Sequence, residues 1–278
     1  DPEASAMMVS VVPRAAAMNP RVVPAGSLVP PWPSTTTQPA NNPEREFAMG
    51  RRVTIQGKDG SFGAYVADAK RKDGPAVLVI QEIFGVNKVM RDIADSLAED
   101  GYTAVAPDLF WRIEPGIDIT DKTDAEWEKA FSNFKAFNVD KGVEDIASTI
   151  AWVRAQGHAK VGAEGYCLGG LLAFLTATRT DIDATVGYYG VGIDTYLGEA
   201  RKAQKPVLLH IAEEDGFVSK DSQAKMKAGL TNPNYQLHSY PGRDHAFARD
   251  GGKHYHPADA NKANERTMKF FEKHLGPV

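Results

Sequence analysis

The sequence predicts an α/β protein with a mostly parallel central sheet, helices on both faces and an antiparallel hairpin at the start. Strand-like and helix-like segments alternate from residue 76 onward, as in parallel strands joined by crossover helices. Several strand segments are continuous apolar runs, typical of strands buried on both faces. Two segments that alternate polar and apolar residues come first, which predicts the hairpin.

The hairpin is predicted from residues 52–56 and 63–67, which flank the turn sequence Lys58-Asp59-Gly60. The next segment, residues 76–81, is apolar throughout and is predicted to be a buried strand. Apolar residues at Val89, Ile93 and Leu97 then follow helical spacing. Gly101 comes directly after them, at the place where glycine commonly ends a helix.

The rest of the chain repeats this alternation of strand and helix. A helix over 140–156 is indicated by apolar residues at Val143, Ile146, Ile150 and Val153. The final helix is amphipathic, so one of its faces is expected to pack on the sheet. The complete prediction places strands at 76–81, 103–107, 161–165, 184–189, 207–212 and 236–240, and helices at 87–100, 122–138, 140–156, 168–178, 220–230 and 258–274.

Composition limits the function classes. The 278 residues include 42% hydrophobic ones and carry a net charge of −4, so nothing indicates a nucleic-acid partner. One cysteine excludes an internal disulfide and a multi-thiolate metal site, which suits the cytoplasm. No apolar run approaches the roughly 18 residues of a membrane span. We therefore expect a cytoplasmic protein with a small-molecule substrate and no membrane partner.

Residues 1–48 differ from the remainder. Nine of the 17 prolines lie there, and no acidic residue occurs between Glu3 and Glu44. Such a segment suits neither a helix nor an alternating strand. We interpret 1–48 as an irregular leader or added segment and 49–278 as one domain, a comfortable size for a single core.

The single cysteine, Cys167, lies in Gly-Tyr-Cys-Leu-Gly-Gly at 165–170, between a predicted strand and a predicted helix. This is the nucleophile-elbow pattern Gly-x-Ser-x-Gly with sulfur in place of the hydroxyl. The glycines make room for a sharp turn, and the helix N-terminus favours a thiolate. The alternative is a buried structural cysteine. The flanking glycines favour the nucleophile.

An acid and a base follow in the order of a catalytic triad. Asp215 comes after the strand predicted at 207–212, and His245 comes after the strand at 236–240. The imidazole would take the thiol proton, and the carboxylate would orient the imidazole. Glu213 and Glu214 compete with Asp215 for this role. Asp244 is discounted, because neighbours in sequence rarely point the same way.

The other histidines carry weaker alternatives. His254 and His256 form His-x-His, but no carboxylate or cysteine in the nearby sequence completes a metal site, and we predict no metal. His158 and His274 are near predicted helix C-termini, where a solvated cation is sufficient explanation. His210 lies inside an apolar strand and is expected to be a core residue.

Glu82 ends the strand predicted at 76–81, where a buried carboxylate would need a partner. The alternative is an ordinary strand-end acid that faces water. In a fold with a nucleophile elbow, the amide after the nucleophile and one near the end of this strand hold the developing oxyanion. These are the backbone amides of Leu168 and Ile83.

Six motifs of the chain form a recognisable set. They are Gln-Glu-Ile-Phe-Gly-Val-Asn at 81–87, Ala-Pro-Asp-Leu-Phe at 106–110 with Arg112, Gly-Tyr-Cys-Leu-Gly-Gly at 165–170, Val-Gly-Tyr-Tyr-Gly-Val-Gly at 186–192, Glu-Asp-Gly-Phe-Val at 214–218 and His-Ala-Phe-Ala-Arg at 245–249. Together, in order and at matching spacing over about residues 50–275, they closely resemble the dienelactone hydrolase (carboxymethylenebutenolidase) family of the α/β-hydrolase superfamily.

The resemblance implies an α/β-hydrolase fold, a monomer and no cofactor. It implies that Cys167 is the nucleophile, His245 the base and Asp215 its orienting acid. Glu82 matches a glutamate that holds the resting thiol until substrate displaces it. Arg112 and Arg249 match two arginines that bind the substrate carboxylate, and Tyr188, Phe84 and Trp111 are implied as further substrate contacts.

Two neighbours of the histidine depart from the family pattern. Ala246 stands where serine is expected, and Asp244 stands where glycine is usual. Trp111 is expected to narrow the mouth of the pocket. These differences bear on the choice of substrate rather than on the mechanism.

The sequence favours a cysteine hydrolase that opens dienelactone-type enol lactones through an acyl-enzyme. A broad-specificity esterase or thioesterase on the same scaffold is the first alternative. A non-catalytic ligand-binding sensor is the second, since a fold alone does not fix a function.

Overall fold

The computed structural model describes residues 50–278, so the interpretation of 1–48 lies outside the described residues. Eight strands form one sheet in the order β1-β2-β4-β3-β5-β6-β7-β8. The first two strands and the β2–β4 pair are antiparallel, and every other pair is parallel. The strands are β1 Arg51–Gln56, β2 Ser61–Ala67, β3 Ala76–Ile80, β4 Thr103–Pro107, β5 Val161–Tyr166, β6 Ala184–Tyr188, β7 Val207–Ala212 and β8 Tyr235–Tyr240.

The helices follow the predicted alternation, and polar side chains mark several of their starts. Asn87 accepts a hydrogen bond from the Met90 amide, and Thr123 accepts one from the Glu126 amide. At the end of the first helix Gly101 adopts φ 99°, as the sequence predicts. The helices are α1 Lys88–Glu99, α2 Asp124–Ala136, α3 Val139–Ala155, α4 Leu168–Arg179, α5 Lys220–Gly229 and α6 Pro257–Leu275.

These bounds confirm the predicted fold class, and they agree with the predicted elements to within two residues at each end. One element was not predicted: a 3-10 helix over Ile193–Lys202. Its sequence mixes polar and apolar residues, and only Ile193 and Ala200 are buried. The apolar residues of such a segment follow neither the helical nor the strand periodicity, so the sequence does not predict the element.

The core lies on both faces of the sheet. Strands β3 to β7 are buried along their whole lengths, which explains why their sequences are mostly apolar. Helix α4 is buried except at its last residue, and α6 buries one stripe that includes Phe270 and Phe271. No helix among residues 50–278 is long and apolar enough to cross a membrane.

The strand order reverses between β3 and β5. From β3 the chain moves to β4 on one side, and it then returns to place β5 on the other side. In open α/β sheets a crevice forms beyond the carboxyl ends of the strands at such a reversal. The loops that carry Glu82 and Cys167 leave the sheet at this point.

Candidate active site

Cys167 occupies the turn between β5 and α4. Its backbone adopts φ 57° and ψ −113°, a conformation that L-residues rarely populate. A Cβ on Gly165 would overlap the carbonyl oxygen of Gly169, so the turn closes only with glycine there. The Cys167 amide donates to the Tyr188 carbonyl at 3.0 Å, which ties the turn to β6. The residue is 2% exposed.

His245 and Asp215 lie side by side in the loops after β8 and β7. The Nδ1 atom of His245 is 3.0 and 3.1 Å from the two Asp215 carboxylate oxygens. Asp215 Oδ1 also accepts hydrogen bonds from the amides of Phe217 and Val218, at 2.8 and 3.2 Å. The carboxylate is therefore held by its own loop, and it in turn fixes the imidazole.

The electrostatics of His245 favour the protonated ring. Burial lowers its pKa, but the charge of Asp215 and the interaction with Cys167, together with hydrogen bonding, outweigh burial and raise the pKa to about 10. Nε2 is buried and has no hydrogen bond of good geometry to any described group, so this nitrogen is open to a reacting group.

Glu82 binds Arg249 and not the thiol. Its Oε1 is 2.7 Å from Nη2 of Arg249 and its Oε2 is 2.9 Å from Nε, a bidentate pair between two buried side chains. Nη1 of Arg249 also donates to Asp121 at 2.9 Å. This differs from the expectation that Glu82 holds Cys167: the contacts of Glu82 within residues 50–278 are with the guanidinium.

Arg112 and Trp111, expected to contact substrate, are held by protein groups in the structure. Both side chains bind Asp145 on α3: the Trp111 indole donates at 2.9 Å and the guanidinium makes two contacts. Arg112 also donates to Asp59 at 3.0 Å, and the Trp111 ring stacks on Phe62. These contacts make Arg112 a link between the hairpin and α3.

Tyr188 also points away from the site. Its hydroxyl is 2.6 Å from Thr267 Oγ1 and donates to Asn264 at 3.0 Å, both on α6. The next residue, Tyr189, lies on the other side, with its ring edge-on to His245 at 5.1 Å between centroids. Tyr189 follows the last residue of β6 and has a φ of 39°, so strand alternation does not set its direction. The signal available in the sequence was its position directly after a predicted parallel strand, where active-site residues of open α/β sheets lie.

A cavity of about 500 Å³ opens beside His245 and Arg249, within the usual range for ligand pockets. One wall is aromatic: Trp127 and Phe131 of α2 stack at 5.4 Å, and Phe217 faces them from the loop after β7. Sequence analysis did not single out these three residues, because their spacing on α2 or in a loop resembles that of ordinary packing residues.

Phe84 packs against the side of this aromatic wall that faces away from the cavity. Its ring packs edge-on to Trp127 at 5.1 Å and lies 5.1 Å under the Arg249 guanidinium. Phe84 therefore supports two groups that line the cavity. The backbone amides of Ile83 and Leu168 donate to no acceptor within residues 50–278, which leaves both free for an oxyanion. The same residues contain no group of three or more side chains arranged to hold a metal.

Comparisons with known proteins agree with this architecture. The profile of the Dienelactone hydrolase family matches residues 62–275. The chain belongs to the dienelactone hydrolase family. It is therefore a hydrolase that acts on ester bonds.

Two relatives illustrate the similarity. A putative carboxymethylenebutenolidase of Azospirillum brasilense is 50% identical over 225 residues, which cover 79% of this chain and 96% of the relative. The carboxymethylenebutenolidase of Pseudomonas putida is 39% identical over 222 residues, 78% of this chain and 94% of the relative.

Solved structures share the fold. The crystal structure of a putative dienelactone hydrolase from Klebsiella pneumoniae superposes with a TM-score of 0.71 at 26% identity, covering 81% of this chain and 98% of that one. An esterase from Pyrococcus furiosus superposes with a TM-score of 0.63 at 15% identity, covering 88% and 100%. At that identity the second comparison concerns the fold alone.

Proposed function

We propose that this chain is a cysteine hydrolase that opens dienelactone-type enol lactones. The observation that carries the proposal is the His245–Asp215 pair, at 3.0 Å, beside a cysteine on a strained strand-to-helix turn. The names of the two curated relatives support the choice of substrate. The reaction proposed is hydrolysis of a carboxymethylenebutenolide to an acid of the maleylacetate kind.

In the first step the Cys167 thiolate attacks the lactone carbonyl carbon. A carbon–sulfur bond forms, and the carbonyl electron pair moves to oxygen. The amides of Leu168 and Ile83 are proposed to receive that oxyanion, because neither donates to another acceptor in the described part of the chain. The tetrahedral intermediate then collapses, the ring carbon–oxygen bond breaks, and the enolate leaves without requiring a strong acid.

In the second step water hydrolyses the acyl-enzyme. His245, which has passed its proton to the departing oxygen or to solvent, takes a proton from water, and the resulting hydroxide attacks the thioester carbonyl. The carbon–sulfur bond breaks and the thiolate returns. Asp215 keeps the imidazole in one orientation during both steps, since it binds Nδ1 and leaves Nε2 for the reaction.

Arg249 is proposed to receive a carboxylate on the substrate. It lines the cavity, and its Nη1 contacts Asp121, whereas Glu82 holds the other side of the guanidinium. A substrate carboxylate can exchange with Asp121 without breaking the buried pair. Planar carboxylates suit this role because the guanidinium donors form a fork.

Replacing the nucleophile tests the proposal. Wild-type protein is expected to hydrolyse cis- or trans-dienelactone, and Cys167→Ala is expected to abolish turnover, because no other thiol exists in the chain. Mass spectrometry of wild type mixed with a slow lactone should show an acyl adduct on Cys167. Absence of lactonase activity in wild type, or full activity in Cys167→Ala, would contradict the proposal.

A broad-specificity esterase is the second candidate, and the cavity is the observation that favours it. A volume of about 500 Å³ with an aromatic wall accommodates acyl or alcohol groups larger than a small lactone. Comparison of kcat/KM for dienelactone and for p-nitrophenyl acetate separates the two candidates. A preference for dienelactone favours the first, and a preference for the simple ester favours the second.

Two further expectations belong to the proposal. A single cysteine and the absence of disulfides suit a cytoplasmic location. The family resemblance favours a monomer, which size-exclusion chromatography with light scattering would test.

A further inference from the structure

Tyr189, whose ring packs against His245, carries a polar atom that the contacts among the described residues leave unexplained. The residue follows the last position of β6 and is 2% exposed. Its hydroxyl is buried and has no hydrogen-bond partner among residues 50–278. Buried polar groups are nearly always paired, and an unpaired one costs free energy. An unpaired hydroxyl that persists beside a reacting group suggests that a bound molecule completes the pairing.

The Tyr189 side chain is surrounded by residues of the candidate active site. The Tyr189 ring is edge-on to His245 at 5.1 Å and to Phe247 at 5.7 Å. Burial raises the pKa of Tyr189 well above its ordinary value of 10, Glu82 and Cys167 raise it further, and Arg249 opposes them. The hydroxyl is therefore neutral at working pH and close to the charged groups of the site. It can donate a hydrogen bond.

The backbone of Tyr189 has an unfavourable conformation that neighbouring contacts hold in place. Its φ of 39° is unusual for a side-chain-bearing residue. The strained turn is fixed because the Tyr189 amide donates to the His210 carbonyl at 2.8 Å. A Cβ on Gly170 would lie 2.7 Å from the Gly190 Cα, so the turn packs directly against the start of α4. Strain of this kind concentrates at functional sites.

We propose that the Tyr189 hydroxyl is a catalytic hydrogen-bond donor to the leaving oxygen of the bound ester or lactone. The proposal rests on the proposed attack by Cys167. The scissile carbonyl oxygen is received by the two backbone amides, so the oxygen that departs lies on the His245 side, where Tyr189 packs. No proton leaves the tyrosine: the carbon–oxygen bond breaks, its electron pair stays on oxygen, and the O–H group stabilises the growing charge.

This role predicts a specific kinetic signature. A hydrogen bond that strengthens as negative charge develops acts on the transition state and not on binding. The donor matters little when the leaving group is an acidic phenol or enol, because that oxygen carries its charge well alone. It matters most for poorly acidic alcohols. The hydroxyl therefore widens the range of esters that the enzyme can cleave.

The test compares Tyr189→Phe with wild type on acetate esters whose alcohols range from p-nitrophenol to ethanol. We expect kcat/KM to fall less than about threefold for p-nitrophenyl acetate and about 10- to 100-fold for the alkyl ester, the range for a hydrogen bond to a charged group. The dependence on leaving-group pKa becomes steeper. An equal loss for all esters, or no loss, would overturn the proposal.

Tyr235→Phe is the matched control. Its hydroxyl donates to the Ala200 carbonyl at 2.8 Å, and Tyr235 begins β8 at the end opposite to the loop that carries His245. Its removal should lower the unfolding midpoint by about 2–4 °C and leave the leaving-group dependence unchanged. Tyr189→Phe should unfold at or above the wild-type midpoint, because it removes an unpaired group. If Tyr189→Phe lowers the unfolding midpoint as much as the control does, the hydroxyl has a structural role and the proposed catalytic role is overturned.

The proposal and the lactonase assignment fail separately. The leaving-group series uses simple esters, so inactivity toward dienelactones would refute the substrate assignment and leave the Tyr189 result standing. Conversely, an unchanged leaving-group dependence in an enzyme that opens dienelactones would refute only the role of Tyr189.

Discussion

Three non-glycine residues within the described chain have left-handed backbones, and all three lie at the candidate active site. They are Cys167, Tyr189 and Ala246, with φ of 57°, 39° and 63°. Each such residue costs on the order of 1–3 kcal/mol. The strain places the thiol on its turn, aims the Tyr189 ring at His245, and bends the chain directly after that histidine. At the scale of single residues, the fold tolerates unfavourable backbone conformations because they orient the side chains of the candidate active site.

Arg112 illustrates the opposite case, a charged residue whose role is structural. It pairs with Asp145, whose side chain is 1% exposed. We expect Arg112→Ala to lower the free energy of unfolding by about 2 kcal/mol, because a buried carboxylate loses its cation while the Trp111 indole still binds it. Denaturant titration measures this. Arg71→Ala, which removes an exposed pair, should change stability by less than about 0.5 kcal/mol.

The same variant separates two roles for Arg112. If it bound the substrate carboxylate, Arg112→Ala would raise KM for a carboxylated lactone and not for a neutral ester. The structure predicts no such difference between the two substrates. A selective rise in KM for the carboxylated substrate, with unchanged stability, would restore the role implied by the family resemblance.

The contrast between Arg112 and His245 shows what a sequence can predict about a site. Cys167, Asp215 and His245 were predictable because each comes directly after a segment that the sequence predicts to be a strand, in the chain order nucleophile, acid, base. The partners of Arg112 are 33 and 53 residues away, and nothing in the local pattern names them. The same holds for Glu82, whose partner Arg249 is 167 residues away. Pairing between distant charges requires the tertiary fold.

At the scale of elements, the strand-to-helix turn is a contact between backbones. A Cβ on Gly169 would overlap the carbonyl oxygen of Ile80 in β3, and one on Gly165 would overlap Gly169 itself. Strands β3 and β5 and helix α4 therefore meet with no side chain between them. The elements were predictable because most residues of the buried parallel strands are apolar. In the sequence, the close approach of these backbones is indicated only by the spacing of the glycines around Cys167.

Gly169→Ala is expected to destabilise the protein by at least about 3 kcal/mol, because backbone atoms of two elements must move to admit a methyl group. Gly198→Ala is the matched control: it lies in the 3-10 helix, and a Cβ there would have no atom within 4 Å. The control should be neutral or stabilising by up to about 1 kcal/mol. Thermal unfolding measures both, and similar midpoints for the two variants would contradict the packing argument.

At the scale of the whole molecule, a second buried polar region accompanies the catalytic one. Tyr188 and His210 bind Thr267 of α6, and the Tyr166 hydroxyl donates to Glu164 at 2.9 Å. The rings of Tyr166 and Tyr188 stack at 4.6 Å. This region is tied to the elbow through β5, since Glu164 lies three residues before the nucleophile. The sheet thus carries a reactive polar cluster and a structural one.

The structural cluster gives the fold a pH dependence of defined sign. Burial raises the pKa of Glu164 from 4.5 to about 7, and the smaller effect of the Tyr166 hydrogen bond opposes it. Between these values the folded state keeps a proton that the unfolded state releases. Stability contributed by this group is therefore present below pH 4.5 and is lost as pH rises toward and through 7. The difference in pKa corresponds to about 3 kcal/mol.

Other buried groups titrate as well, so the contribution of Glu164 must be isolated by difference. Burial also raises the pKa of Asp108, to about 6, which has the same sign. Burial lowers the pKa of His210, which has the opposite sign, because the unfolded state then holds the extra proton. Both groups are present in wild type and in Glu164→Gln, and they cancel in the comparison.

We expect the free energy of unfolding of wild type, minus that of Glu164→Gln, to fall by about 3 kcal/mol between pH 4.5 and 7. Glutamine keeps an acceptor for the Tyr166 hydroxyl and cannot ionise, so it resembles the protonated acid. Denaturant titrations at several pH values measure the difference. A difference that stays constant with pH, or rises with it, would mean that Glu164 is ionised in the folded state and that its carboxylate is stabilised by more than the tyrosine hydroxyl.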